Sequence, residues 1–143
     1  MKDAYKKTEQ ILCAYESLNL KLVIDAKDIL DLRAEGQIYS TNHKISNSDE
    51  WDAEIDDEIR HKQKIRNRER GMIRTEKLIE RIDNALALLP KEDYELITDL
   101  YFDKLAVTNV AQKRGCCVRT VCRNRKRIVT ELMVLFYGAD ALE

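Results

Sequence analysis

Residues 107–126 read VTNVAQKRGCCVRTVCRNRK, and their spacing predicts a short helix, a turn and a second helix. Two helices that cross sharply need a small residue where they come closest, and Ala111 occupies that place. Four positions later stands Gly115, a residue that tolerates the positive φ such a turn demands. Six positions after the glycine, Val121 supplies an apolar anchor facing back to the first helix. Val107 and Val110 continue the buried side of that first helix.

Taking about 100° per residue from Val121, Ile128, Leu132 and Leu135 form one apolar stripe on the second helix. Lys126, Arg119, Thr130, Arg123 and Arg127 fall on the opposite face. From Lys104 to Thr130 there are eight Lys/Arg and no Asp or Glu, whereas the whole chain carries a net charge of −1. A patch of one sign on an otherwise acidic chain is the electrostatic footprint of a phosphate-backbone partner. The expected partner is double-stranded DNA, with a cationic helix face in the major groove. Arg119 and Arg123 are expected to read bases. Lys126 and Arg127 are expected mainly on phosphates, with Thr120 and Arg114 completing the DNA-binding set. An ordinary solvated helix face is the competing reading, but such faces mix signs.

Upstream, Leu89-Pro90 precedes Lys91-Glu92-Asp93 and then Tyr94, Ile97, Leu100 and Tyr101 at helical spacing. Pro90 is placed to open a helix, and the acidic residues suit a first turn. The run from Leu88 to Arg127 resembles region four of bacterial sigma factors, where a Leu-Pro-initiated helix ending in a Tyr-Phe-Asp-like turn precedes a helix-turn-helix of this spacing. The wider layout resembles phage and prophage late-gene transcription regulators of the ArpU and RinA kind. That resemblance implies activation of packaging, structural or lysis promoters through contact with host RNA polymerase. Against the resembling pattern, Arg114 stands where Leu is usual, so its stem is expected to pack while the guanidinium snorkels outward. Cys117 takes the N-cap position in place of Ser or Thr, which predicts a weaker cap. Asn124 and Arg125 border the apolar stripe and leave it polar on one turn.

The rest of the chain reads as helix. Ile11, Leu12, Tyr15, Leu18 and Leu22 recur at three- and four-residue steps, and Ala26, Ile29 and Leu30 prolong the stripe, predicting a helix over 3–34 that stops near Gly36. Polar residues 37–48 read as a loop. A second long helix starts at Ser48 or Asp49. Seven acidic residues lie within 49–58, and Arg60, Lys62, Lys64, Arg66, Arg68 and Arg70 follow, favouring acid–base pairs along the helix at about 0.2–0.5 kcal/mol each. The basic run offers further phosphate contacts and the acidic run a surface for a basic protein. Ile65, Met72, Ile79 and Leu86, with Thr75, Ile82 and Leu89 offset by three, form a heptad seam that Gly71 interrupts, where a kink or a packing crossover is expected.

The predicted fold is therefore all-α. Residues 1–89 form a long helical hairpin and oligomerisation arm with a loop near 36–48, and residues 90–143 form the helix-turn-helix domain. Two-fold symmetry would supply a second half-site, so a homodimer through the N-terminal helices is expected, the alternative being that these helices pack against the C-terminal module of the same chain. Only 6% of residues are aromatic and 36% are charged, which fits exposed helices better than one large core. No apolar run approaches the ~20 residues of a bilayer span, and the N-terminus has no signal-peptide core, so a cytoplasmic protein without membrane contact is expected.

Enzymatic function is the least expected class, since no Gly-rich phosphate loop, His–carboxylate set or nucleophile motif occurs. No cofactor is expected. Cys13 reads as a small core residue and Cys116 as filler of an apolar turn position. Cys116, Cys117 and Cys122 lack the CxxC and histidine spacing of zinc, and a thiol sensor is the only other role they invite. Asp25, Asp28 and Asp31, spaced by three, read as solvated carboxylates before a metal site. Two further function classes share this layout: a phage terminase small subunit, which would form a ring on packaging-site DNA, and a helical protein-interaction adaptor.

Overall fold

The computed structural model describes residues 2–41 and 48–143, with side chains described for 2–36 and 55–143. Among the described residues five α-helices follow in order: α1 (Lys2–Thr41), α2 (Ser48–Ala87), α3 (Lys91–Ile97), α4 (Val107–Arg114) and α5 (Val118–Tyr137). A π-helical turn, Thr98–Phe102, extends α3, and a 3-10 turn, Gly138–Leu142, closes α5. Among the described residues there is no strand, so the fold is all-α. No described helix is long and apolar enough to cross a membrane.

The chain forms two compact units, Met1–Leu18 with Leu78–Glu143, and Asn19–Lys77. In the first, one core gathers Leu12 from α1, Ile82, Ala85 and Leu86 from α2, and Leu96 and Ile97 from α3. Val110 and Ala111 join it from α4, and Val121, Ile128, Val129, Leu132 and Phe136 from α5. The positions on either side of the expected 89/90 boundary thus lie in the same unit. The reason is geometric: α2 carries its heptad residues Ile79, Ile82 and Leu86 into burial where neither α3 nor α4 is long enough to cover α5. Around this core, Tyr15 stacks on Phe102 with ring centroids 4.7 Å apart and donates to Asp83. Tyr101 donates to Glu9 at 3.0 Å. Arg81 caps the carbonyl of Phe136.

The second unit is a thin seam in which α1 and α2 run in opposite directions. Arg68 of α2 reaches Asp28 of α1 at 3.2 Å, and Arg33 of α1 reaches Glu69 at 2.7 Å. Asp25 is buried and needs compensating charge; Lys21 at 2.8 Å and Arg68 at 3.8 Å provide it. Asp28 is likewise paired and Asp31 is exposed. Ile29 is buried, and Ile65, Met72 and Thr75 of the heptad series are half-buried.

Several sequence expectations need correction. Helix α1 passes through Gly36 and continues to Thr41. The missing Cβ at Gly36 leaves room for His61, whose ring nitrogen would lie 3.1 Å from a methyl there and which bonds the carbonyl of Leu32. A glycine that reads as a stop is here a place of close approach. Helix α2 is also continuous through Gly71. Of the expected loop, 37–41 and 48 are helical and 42–47 lie outside the described residues, and the side chains of the expected cap, Ser48 or Asp49, are likewise outside what is described. Leu30, 64% exposed, leaves the α1 stripe, and Cys13 is exposed instead of buried. Tyr94 is also exposed, and Leu96 takes its place in the core.

Candidate nucleic-acid interface

The surface that carries the basic stretch is built from α4, the turn at Gly115 and α5. Ala106 precedes α4 in extended conformation and caps it without a side-chain hydrogen bond. At its other end Gly115 adopts φ 67°, ψ 35°, in the left-handed region. There the Gly115 N–H donates to the Gln112 carbonyl at 3.2 Å, and the Cys116 N–H reaches back to the Ala111 carbonyl at 3.0 Å. This pair of bonds is a Schellman closure, which satisfies the last carbonyls of a helix and turns an apolar residue inward. That residue is Cys116, half-buried against the core, in keeping with its turn position.

Cys117 then begins α5 from the N-cap, at φ −85°, ψ 159°, with no side-chain capping bond. Its sulfur instead lies 3.2 Å from the Thr120 hydroxyl. Hydrogen bonding from Thr120 holds the Cys117 thiol below its ordinary pKa, because a thiolate at a helix N-terminus gains from donors pointing toward it. The four cysteines are free. Among the described residues no three His, Cys, Asp or Glu side chains gather as a metal-holding group.

The core side of α5 comprises Val121, Ile128, Val129, Leu132, Met133 and Phe136. Its centre is rotated by about 40° from Val121, which explains two differences from the sequence pattern. Leu135, expected in the stripe, is 47% exposed, whereas Val129, Met133 and Phe136 are buried. Arg125 lies toward this side and is half-buried. Its charge acts on Tyr5 and Tyr101, whose hydroxyls burial and Glu9 hold above their ordinary pKa.

The six predicted DNA-binding residues divide into two groups. Arg119, Arg123 and Lys126 are exposed and form no ion pair with any described residue. They lie within about 60° of one another, between about 100° and 160° from the centre of the core side, and span about 10 Å along the axis at 1.5 Å per residue. Thr120, half-buried, is engaged by Cys117. Arg127 and Arg114 turn toward α3. Arg127 grips Asp93 with both terminal nitrogens, at 3.0 and 3.2 Å, and touches Glu131 at 3.4 Å. This pairing holds the guanidinium above its usual pKa. Arg114, half-buried, donates to the carbonyl of Glu92 at 2.6 Å. Lys113 is similarly committed, to the buried carboxylate of Asp99 at 3.1 Å.

In sequence, Glu92 and Asp93 read only as dipole partners of a helix start. Their second role depends on residues 22 and 34 positions away, and no local pattern announces it. The acid-free character of residues 104–130 also proves to be sequence-local, since α3 and the π-helical turn engage three of its cations. The other five of the eight form no ion pair with a described residue: Arg119, Arg123 and Lys126 make a narrower exposed patch on α5, Lys104 stands apart before α4, and Arg125 is half-buried toward the core. Compared with family models, curated proteins and solved structures, the chain matches none of them.

Proposed function

We propose that this chain is a sequence-specific DNA-binding transcriptional regulator in which α4, the Gly115 turn and α5 act as a helix-turn-helix. One observation carries the reading: Arg119, Arg123 and Lys126 stand exposed and without ion pairs to described residues on the outer face of α5, directly after a left-handed turn that fixes its start. Such a helix fits the major groove, where arginine forks read guanine edges and lysines meet flanking phosphates. In this reading Arg119 and Arg123 read bases and Lys126 contacts phosphate. Thr120 orders the first turn, and Arg127 and Arg114 hold the α5 side of the turn against α3.

The antiparallel α1 and α2 segments serve as the arm through which two copies pair, giving two half-sites. The resemblance to sigma region four and to late-gene regulators of the ArpU and RinA kind supports action at phage promoters together with bacterial RNA polymerase, in the host cytoplasm.

The test is selection of bound duplexes from a random pool, followed by sizing of the complex. A recovered motif with two-fold symmetry and two chains per duplex is expected. Arg119→Ala or Arg123→Ala should cost about 1–3 kcal/mol and relax the motif. Lys126→Ala should weaken all sequences alike and flatten the salt slope by about one unit. Uniform weakening by all three changes would remove the base-reading assignment. A ring of eight or more chains would favour DNA packaging over regulation.

A further inference from the structure

The acidic-to-basic switch on α2 neutralises itself only in part. Arg60 pairs with Asp57 and Lys62 with Glu58, each at 3.6 Å. Helical pairs reach only three or four positions, so the acids that end at Glu58 cannot serve cations beyond residue 62. Arg68 is taken by Asp25 and Asp28 of α1. Lys64, Arg66, Arg70, Arg74 and Lys77 are left exposed, with no ion pair to any described residue, and Lys64 lies on a different face from the other four.

These four recur at three- and four-residue steps and share one face of α2 over about 16 Å of axis. Gln63 and Asn67 lie among them, and together with Arg66 and Arg70 they line an open groove. Glu69 and Glu76 lie about 95° and 115° from the centre of that row, and Glu69 is already held by Arg33. The row is unfavourable to the helix itself, because Arg66/Arg70 and Arg70/Arg74 are like-charge pairs at i,i+4. An elongated row of one sign, with amide donors interleaved, is complementary to an elongated polyanion.

We propose that this face of α2, in the Asn19–Lys77 unit, is a second nucleic-acid surface that grips the phosphate backbone without reading sequence. Its ligand class is double-stranded nucleic acid. The choice of ligand rests on the DNA-binding reading above, while the surface itself is separate from α5.

Binding of a short random-sequence duplex by the full chain tests this, with salt titrated and three variants compared. Replacing Arg66, Arg70 and Arg74 by Gln should lower affinity at least tenfold at low salt. It should also reduce the log–log salt slope by about 2–3 units, near 0.9 for each phosphate no longer neutralised. Replacement by Lys should restore both, since a backbone grip needs charge and not the arginine fork. Thermal unfolding of the Gln variant should equal or exceed that of the parent. Wild-type affinity and slope in the Gln variant would overturn the proposal. So would a salt-sensitive self-association, seen without DNA, that the Gln variant loses; the occupant would then be the acidic run of a second copy. The third variant, Arg119→Ala with Arg123→Ala, separates the two readings. If only the α2 variant loses affinity, the backbone surface stands and the α5 assignment falls; if only the α5 variant does, the reverse holds.

Discussion

Arg127 grips Asp93 through two nitrogens, whereas Arg123, one turn earlier on α5, meets no described acid. The two arginines therefore separate structure from recognition. Arg127→Ala strands a largely covered carboxylate, whose side chain is 13% exposed, and should cost about 1 kcal/mol of stability. Arg123→Ala should leave the unfolding temperature unchanged and act only on DNA. Calorimetry of both variants checks this, and equal melting temperatures would contradict the α3–α5 clamp. At Cys117, the lowered thiol pKa means that the reactive thiolate persists to lower pH than for an ordinary cysteine. Alkylation of Cys117 followed against pH should show a midpoint below the usual thiol value, and Thr120→Val should move it upward. Cys117→Ser supplies the missing cap and should stabilise the chain by about 0.5–1 kcal/mol.

Among the elements, two glycines make opposite predictions. Gly115 holds φ 67° with open space where a Cβ would stand, so Gly115→Ala carries only backbone strain, about 1–2 kcal/mol. Gly71 lies inside α2, also with nothing near a Cβ, so Gly71→Ala should stabilise by about 0.5–1 kcal/mol. Chemical denaturation of the two variants should shift in opposite senses. The first glycine is legible in sequence because a turn residue, a small residue before it and an apolar anchor after it agree on one geometry. The second reads as an interruption, yet the helix runs unbroken through it, because a glycine's cost in a helix is small against that of breaking a 40-residue helix. The π-helical turn after α3 leaves no trace in the sequence at all. Its wide bonds, such as Asp103 N–H to the Thr98 carbonyl at 2.8 Å, place Asp99 and Tyr101 inward, which depends on partners in α4 and α1. The α5 stripe is legible in kind and shifted in phase: a polar turn at Asn124 and Arg125 hides the direction of burial.

For the whole molecule, the C-terminal helices do not own their core. Leu12, Ile82, Ala85 and Leu86 pack into the same cluster as Val121 and Leu132, so a fragment cut at residue 90 exposes the far side of α5. Residues 90–143 alone should show no cooperative thermal transition, while the full chain does; circular dichroism of the fragment decides. In the full chain, Leu12→Ala should cost about 2–5 kcal/mol although it lies far from α5 in sequence. Such long-range dependence is what composition and periodicity cannot convey, since each helix advertises an apolar face and none names its mate.

The incomplete self-neutralisation of α2 has a practical corollary. With a pI near 6.2, bulk titration would class this chain as mildly acidic, and an anion-exchange resin would be the first choice for its purification. Its cations, however, are segregated into rows, and a resin bead samples rows instead of totals. Retention on a sulfonate or heparin matrix at neutral pH is the behaviour that follows.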